Sequence, residues 1–74
     1  MAYNYNKLRG RIVEKIKTQR AFANAMGWSE RTLSLKMNGV RYWDQPDINK
    51  AMELLGISLD EIQVYFFDII VQQF

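Results

Sequence analysis

Apolar residues recur along the chain at helical spacing, in blocks set off by capping and turn residues. Leu8, Ile12 and Ile16 fall on one face with Tyr5 and Val13 beside them, and Asn4 stands where an N-cap is expected. A first helix is therefore predicted, ending before Thr18. Gly10 interrupts it at a cost of roughly 1 kcal/mol relative to alanine, which close backbone packing would explain. Thr18 is placed to cap a second helix, Gln19 to Met26, with Phe22, Ala23 and Met26 on one side and Gly27 as its left-handed stop. Ser29 caps a third, from Glu30 to about Asn38, in which Leu33 and Met37 share the buried face and Asn38-Gly39 closes the pattern. After a loop from Val40 to Trp43, Asp44 caps a fourth helix. Pro46 is tolerated in its first turn and Asp47 suits its dipole. Its stripe is Ile48, Ala51, Met52 and Leu55, onto which Trp43 can staple at Ile48, and Gly56 stops it. Ser58 and Glu61 have capping-box spacing and open a short fifth helix.

From Tyr65 the pattern changes. Tyr65, Phe66, Phe67, Ile69, Ile70 and Val71 are aromatic or β-branched, which predicts an extended segment. A lone strand is not stable and needs a partner. A second copy of the chain is the simplest one, with Phe67, Ile69 and Val71 at the contact. The alternative is a tail packed on the helices.

Composition narrows the function classes. Seventy-four residues make one domain with a thin core. The absence of cysteine and histidine excludes a disulfide framework, a Cys/His zinc site, a Ser-His triad and a histidine general base. With no paired carboxylates in a predicted cleft either, no enzyme, no metal and no cofactor are expected. No charged-then-apolar segment opens the sequence and no apolar run approaches bilayer length, so a cytoplasmic location without membrane contact is expected. The charge is split: residues 1–43 hold nine basic against two acidic residues, and residues 44–74 hold one against six. Such asymmetry suits either a basic face for a polyanion or a dipolar solvated surface.

Residues 19–39 carry the most information. Gln19, Ala23, Gly27-Trp28-Ser29, Leu33-Ser34, Met37 and Asn38-Gly39 describe two helices joined by a tight turn. Ala23 must be small where the next helix crosses, Gly27 supplies positive φ, and Phe22, Met26, Trp28, Leu33 and Met37 fill the angle. This is the pattern of a helix-turn-helix.

The segment resembles the helix-turn-helix of the phage Cro and repressor type. The chain as a whole, over about residues 3–67, is similar to small phage and prophage Cro-like proteins of Gram-positive bacteria. The stretches that carry the likeness are Tyr5 to Ile12, Thr18 to Ala23, Ser29 to Lys36 and Ala51 to Ile57. The resemblance implies an all-α, lambda-repressor-like domain of five short helices at residues 1–67. It also implies a homodimer and binding to a double-stranded DNA operator in a lysogeny switch inside a bacterial host. The tail at 68–74 lies outside it, as a short C-terminal β-strand available for dimerisation.

The face of the third helix follows from its own periodicity. With Leu33 and Met37 inward at about 100° per residue, Arg31 and Leu35 point away, with Thr32, Ser34 and Asn38 beside them. Arg31 is the prime candidate to read a base, because a bidentate guanidinium on guanine is the commonest specific contact; the alternative is a surface ion pair. Thr32 and Ser34 can bond base edges or phosphate. Glu30 can accept from a cytosine amine or simply suit the helix N-terminus, and Leu35 can touch a thymine methyl or mark a protein-binding patch. Gln19, Ser29, Lys36, Asn38, Arg41 and Tyr42 flank the helix as phosphate contacts, with Arg9 and Arg11 as weaker ones; each is otherwise a solvated polar group. The function expected is that of a sequence-specific transcriptional regulator on a two-fold operator. The competing reading is an antirepressor that binds a partner phage repressor and covers its DNA-reading surface, which Leu35, the acidic C-terminal half and the apolar tail all allow.

Overall fold

The computed structural model describes residues 2–70. Its elements run β1 (Ala2–Tyr3), α1 (Asn6–Ile16), α2 (Gln19–Met26), α3 (Glu30–Met37), α4 (Gln45–Leu55), a 3-10 turn (Leu59–Glu61), α5 (Ile62–Phe66) and β2 (Ile69–Ile70). The fold is all-α, with the two short strands tying its ends together.

The helix starts obey their capping residues. The Thr18 hydroxyl accepts from the Ala21 N–H at 3.0 Å, the Ser29 hydroxyl from Thr32 at 3.1 Å and the Asp44 carboxylate from Asp47 at 2.8 Å. Each satisfies a backbone donor that the helix itself leaves unpaired. At Ser58 the backbone N–H and the hydroxyl both donate to the Glu61 carboxylate, at 3.2 and 3.1 Å. These bonds hold Glu61 below the usual carboxylate range.

The start of α1 differs from expectation. Tyr5, not Asn4, occupies the N-cap, and the Asn4 side chain accepts from the Asn6 N–H at 2.9 Å. Tyr5 is thereby turned into the core, where burial, and then the charge of Tyr3, raise its phenol above the ordinary value. Val13 is exposed, since it lies about 100° around the helix from Ile12.

Gly10 was expected to permit close packing, but it is exposed, and a Cβ built on it meets nothing within 4 Å. Gly10→Ala is therefore expected to stabilise the fold by about 0.5–1 kcal/mol through helix propensity and a less flexible unfolded chain. A rise in the urea midpoint with unchanged slope would show it, and a fall would reveal a contact at this position.

One core joins the helices. Leu8, Ile12, Phe22, Ala23, Leu33, Ala51, Leu55 and Phe66 are its most buried members. Helix α1 packs on α2, α4 and α5, and α2 packs on α3 and α4. The Arg11 guanidinium donates to the Leu55 and Gly56 carbonyls at 2.9 and 3.0 Å, which closes the end of α4 and takes Arg11 out of the phosphate-contact set.

The extended segment begins later than its residue types predict. Tyr65 and Phe66 are still helical, because Phe66 is a core residue, 2% exposed, with its ring edge-on to Trp43 at 5.2 Å. Strand propensity describes fit to a pleated surface, and here a core position overrides it. Among the described residues of this segment Ile69–Ile70 is extended, and its partner is the chain's own β1, antiparallel, with Ala2 opposite Ile70 and Tyr3 opposite Ile69. For Ile69 and Ile70 the pairing expected with a second copy is thus made within the chain. Phe67 and Ile69 remain exposed, while Val71 lies outside the described residues. Among the described residues no helix is long and apolar enough to cross a membrane.

Candidate functional site

Helices α2 and α3 meet across Gly27-Trp28-Ser29. Gly27 has φ +81°, and the next N–H, of Trp28, donates back to the Ala23 carbonyl at 2.8 Å. Phe22, Ala23, Met26, Leu33 and Met37 are all buried in this region, so the outer face of the pair rests on a packed base. A shallow groove of about 350 Å³ runs along that face, lined by Gln19, Arg20, Glu30, Arg31, Leu33 and Ser34. It brings together Gln19, Glu30, Arg31 and Ser34, four residues expected to contact DNA.

Within the groove, Arg31 is exposed and makes no ion pair among the described residues. Glu30 does make one: the Arg20 guanidinium lies 3.2 Å from its carboxylate, both exposed, so the pair adds little stability. Arg20 was not singled out from sequence, because nothing in the spacing links positions 20 and 30. Thr32 is half-buried and its hydroxyl accepts from Ser29, at 3.0 Å. Ser29 is exposed, but its hydroxyl already serves the start of α3. Leu35 is half-buried, not fully outward, and its carbonyl accepts from the Val40 and Arg41 N–H groups as the chain turns after α3.

Lys36 is the clear departure. It was expected to grip phosphate, yet it is 9% exposed. Its ammonium pairs with the Asp47 carboxylate, donates to the Tyr42 carbonyl at 3.0 Å and lies 4.6 Å from the centre of the Trp28 ring. The backbone carbonyl of Lys36 accepts from the Trp43 indole at 3.3 Å. Lys36 therefore fastens the loop after α3 to α4, and its charge is not free for a phosphate. Arg9 is similarly engaged, donating to the Met37 carbonyl and to the Asn38 side chain at 3.4 and 3.2 Å. Asn38 in turn donates to the Ser34 hydroxyl at 3.3 Å.

Arg41 and Tyr42 are exposed on the following loop. With Asn38 and Gly39 they form one wall of a second cleft of about 310 Å³, whose aromatic lining includes Tyr3, Tyr5, Trp43, Phe66 and Phe67. Among the described residues no cluster of acidic side chains is arranged to hold a metal.

A family described as "Protein of unknown function (DUF739)" matches residues 1–69. The chain belongs to this family. The solution structure of the modulator of repression (MOR) of the temperate bacteriophage TP901-1 from Lactococcus lactis is similar to this DUF739 chain. The two share 48% sequence identity, with a TM-score of 0.80, over 90% of each chain. Comparison with curated proteins gave no match. These matches relate the DUF739 chain to a phage regulatory protein.

Proposed function

We propose that this chain is a phage modulator of repression that acts by binding a partner repressor and covering its DNA-reading surface. The observation that carries the reading is the likeness to a modulator of repression at 48% identity along nearly the whole chain. The loss of Lys36 and Arg11 from the free cations supports it. Affinity for DNA comes largely from cations on phosphate, and the α2–α3 face with its following loop retains only Arg20, Arg31 and Arg41, with Arg20 already paired. A second reading, direct operator binding through α3, is favoured by one specific feature: Arg31 and Ser34 stand exposed beside Gln19 in a single groove.

The two readings separate in one titration. The probe is the operator-binding repressor of the same phage or prophage genome, bound to fluorescent operator DNA. Adding the chain is expected to release the repressor from DNA and to form a repressor complex on a sizing column, with Arg31→Ala as effective as the wild type. If the chain instead binds the operator itself, and Arg31→Ala abolishes that binding while no repressor complex forms, the second reading replaces the first.

A further inference from the structure

The outer side of α5 and β2 carries an apolar patch that the other described residues leave uncovered. Val64, Phe67 and Ile69 are 42, 41 and 43% exposed. They line one shallow groove with Asp60, Asp68 and Lys7. The Phe67 ring is held in place by Tyr3, edge-on at 6.0 Å. Asp60 is exposed and Asp68 half-buried, and neither forms an ion pair among the described residues, so two carboxylates flank the apolar centre.

We infer that this patch is where the basic DNA-reading surface of the partner repressor docks. The inference rests on the reading of the chain as a repressor-binding modulator and assigns that activity to one surface. A surface that binds DNA must be rich in Arg and Lys to meet phosphates. On the α2–α3 face of this chain Glu30 is taken up by Arg20, which leaves Arg31 as the uncompensated charge, so no acidic group is free there to meet a basic surface. The α5–β2 patch has the complementary character. Arg and Lys stems are apolar and would lie along Val64 and Ile69, while their heads reach Asp60 and Asp68. A guanidinium over the Phe67 ring would add cation–π attraction. A second copy of this chain suits the patch less well. A two-fold contact would bring Asp60 and Asp68 against the same residues, with Lys7 the sole cation in the lining.

The test uses the full chain and the purified repressor of the same genome, with affinity measured by titration calorimetry at two salt concentrations. Asp60→Lys combined with Asp68→Lys is expected to weaken binding at least tenfold and to reduce its salt sensitivity, and Val64→Ser to weaken it about fivefold. Glu53→Lys, a single charge reversal on α4, is expected to stay within twofold. Circular dichroism checks that each variant is folded, and Asp60→Asn with Asp68→Asn repeats the test without a reversed charge. Wild-type binding with unchanged affinity in all the patch variants overturns the assignment and leaves the proposed function standing. If the patch variants instead alter self-association of the chain in sedimentation while repressor affinity holds, a second copy is the occupant. Absence of wild-type binding removes the proposed function, and the assignment with it.

Discussion

Asp47→Ala is expected to lower the stability of the fold by about 3 kcal/mol, the low end of what breaking one side of a buried ion pair costs. In a domain this small such a loss lowers Tm by more than about 10 °C. The reason is local. The Asp47 carboxylate holds the Lys36 ammonium where both side chains are nearly covered, 11 and 16% exposed, and it also accepts from the Asp44 N–H at the start of α4. Removing it leaves a covered ammonium with the Tyr42 carbonyl and the Trp28 ring, neither of which carries a compensating charge. It also undoes half of a capping box. Asp44→Ala removes only the cap and is expected to cost about 1 kcal/mol. Thermal melts of the two variants decide the matter: equal losses would mean that the Lys36–Asp47 pair is solvated and adds nothing.

That pair also marks the limit of what local sequence determines. The helix boundaries at Thr18, Gly27, Ser29, Asp44 and Gly56 follow from local chemistry, since a cap or a left-handed stop acts on its immediate neighbours. The inward residues of α3, Leu33 and Met37, follow from periodicity alone. Lys36 does not. Its type predicts a solvated charge, although it lies only about 60° around the helix from Leu33, on the flank of the buried face. What covers it comes from Trp28 in the turn, and what neutralises it comes from Asp47 in the next helix. A cation on a core flank, with an unpaired Asp in the first turn of the following helix, was the available signal. Arg9 and Arg11 repeat the lesson, because their carbonyl partners at Met37, Leu55 and Gly56 are remote in sequence.

The groove between α2 and α3 was legible for the opposite reason. Its lining residues sit at fixed offsets from a recognisable turn, so helical geometry alone builds the face. Its purpose was not legible in the same way, because a helix-turn-helix scaffold supports both DNA reading and protein binding. The C-terminal segment departs in part from its residue types. Residue types alone favour strand from Tyr65, whereas the core position of Phe66 keeps the helix running to that residue.

Phe66→Ala should be the most damaging single substitution at this end of the molecule. Burying and then deleting a phenylalanine side chain costs about 3–5 kcal/mol, and Phe66 also stacks edge-on against Trp43, which in turn meets Trp28 at 5.4 Å. A 74-residue domain has a total stability of only about 4–11 kcal/mol. Helix α5 is five residues long, far too short to persist without its packing. Phe66→Ala is therefore expected to melt α5 and to remove a large share of the stability of the rest of the chain. Tryptophan fluorescence should report this as early exposure of Trp43 in urea. The adjacent Phe67→Ala provides the contrast. Phe67 is 41% exposed, so its loss should cost about 1–2 kcal/mol, well below that of Phe66, yet it sits at the centre of the proposed docking patch and should weaken the repressor complex markedly. Neighbouring residues of the same type would then fail in different assays, one in folding and one in binding. If Phe67→Ala bound the repressor as the wild type does, the patch would not be the docking surface, however much Phe66 matters to the fold.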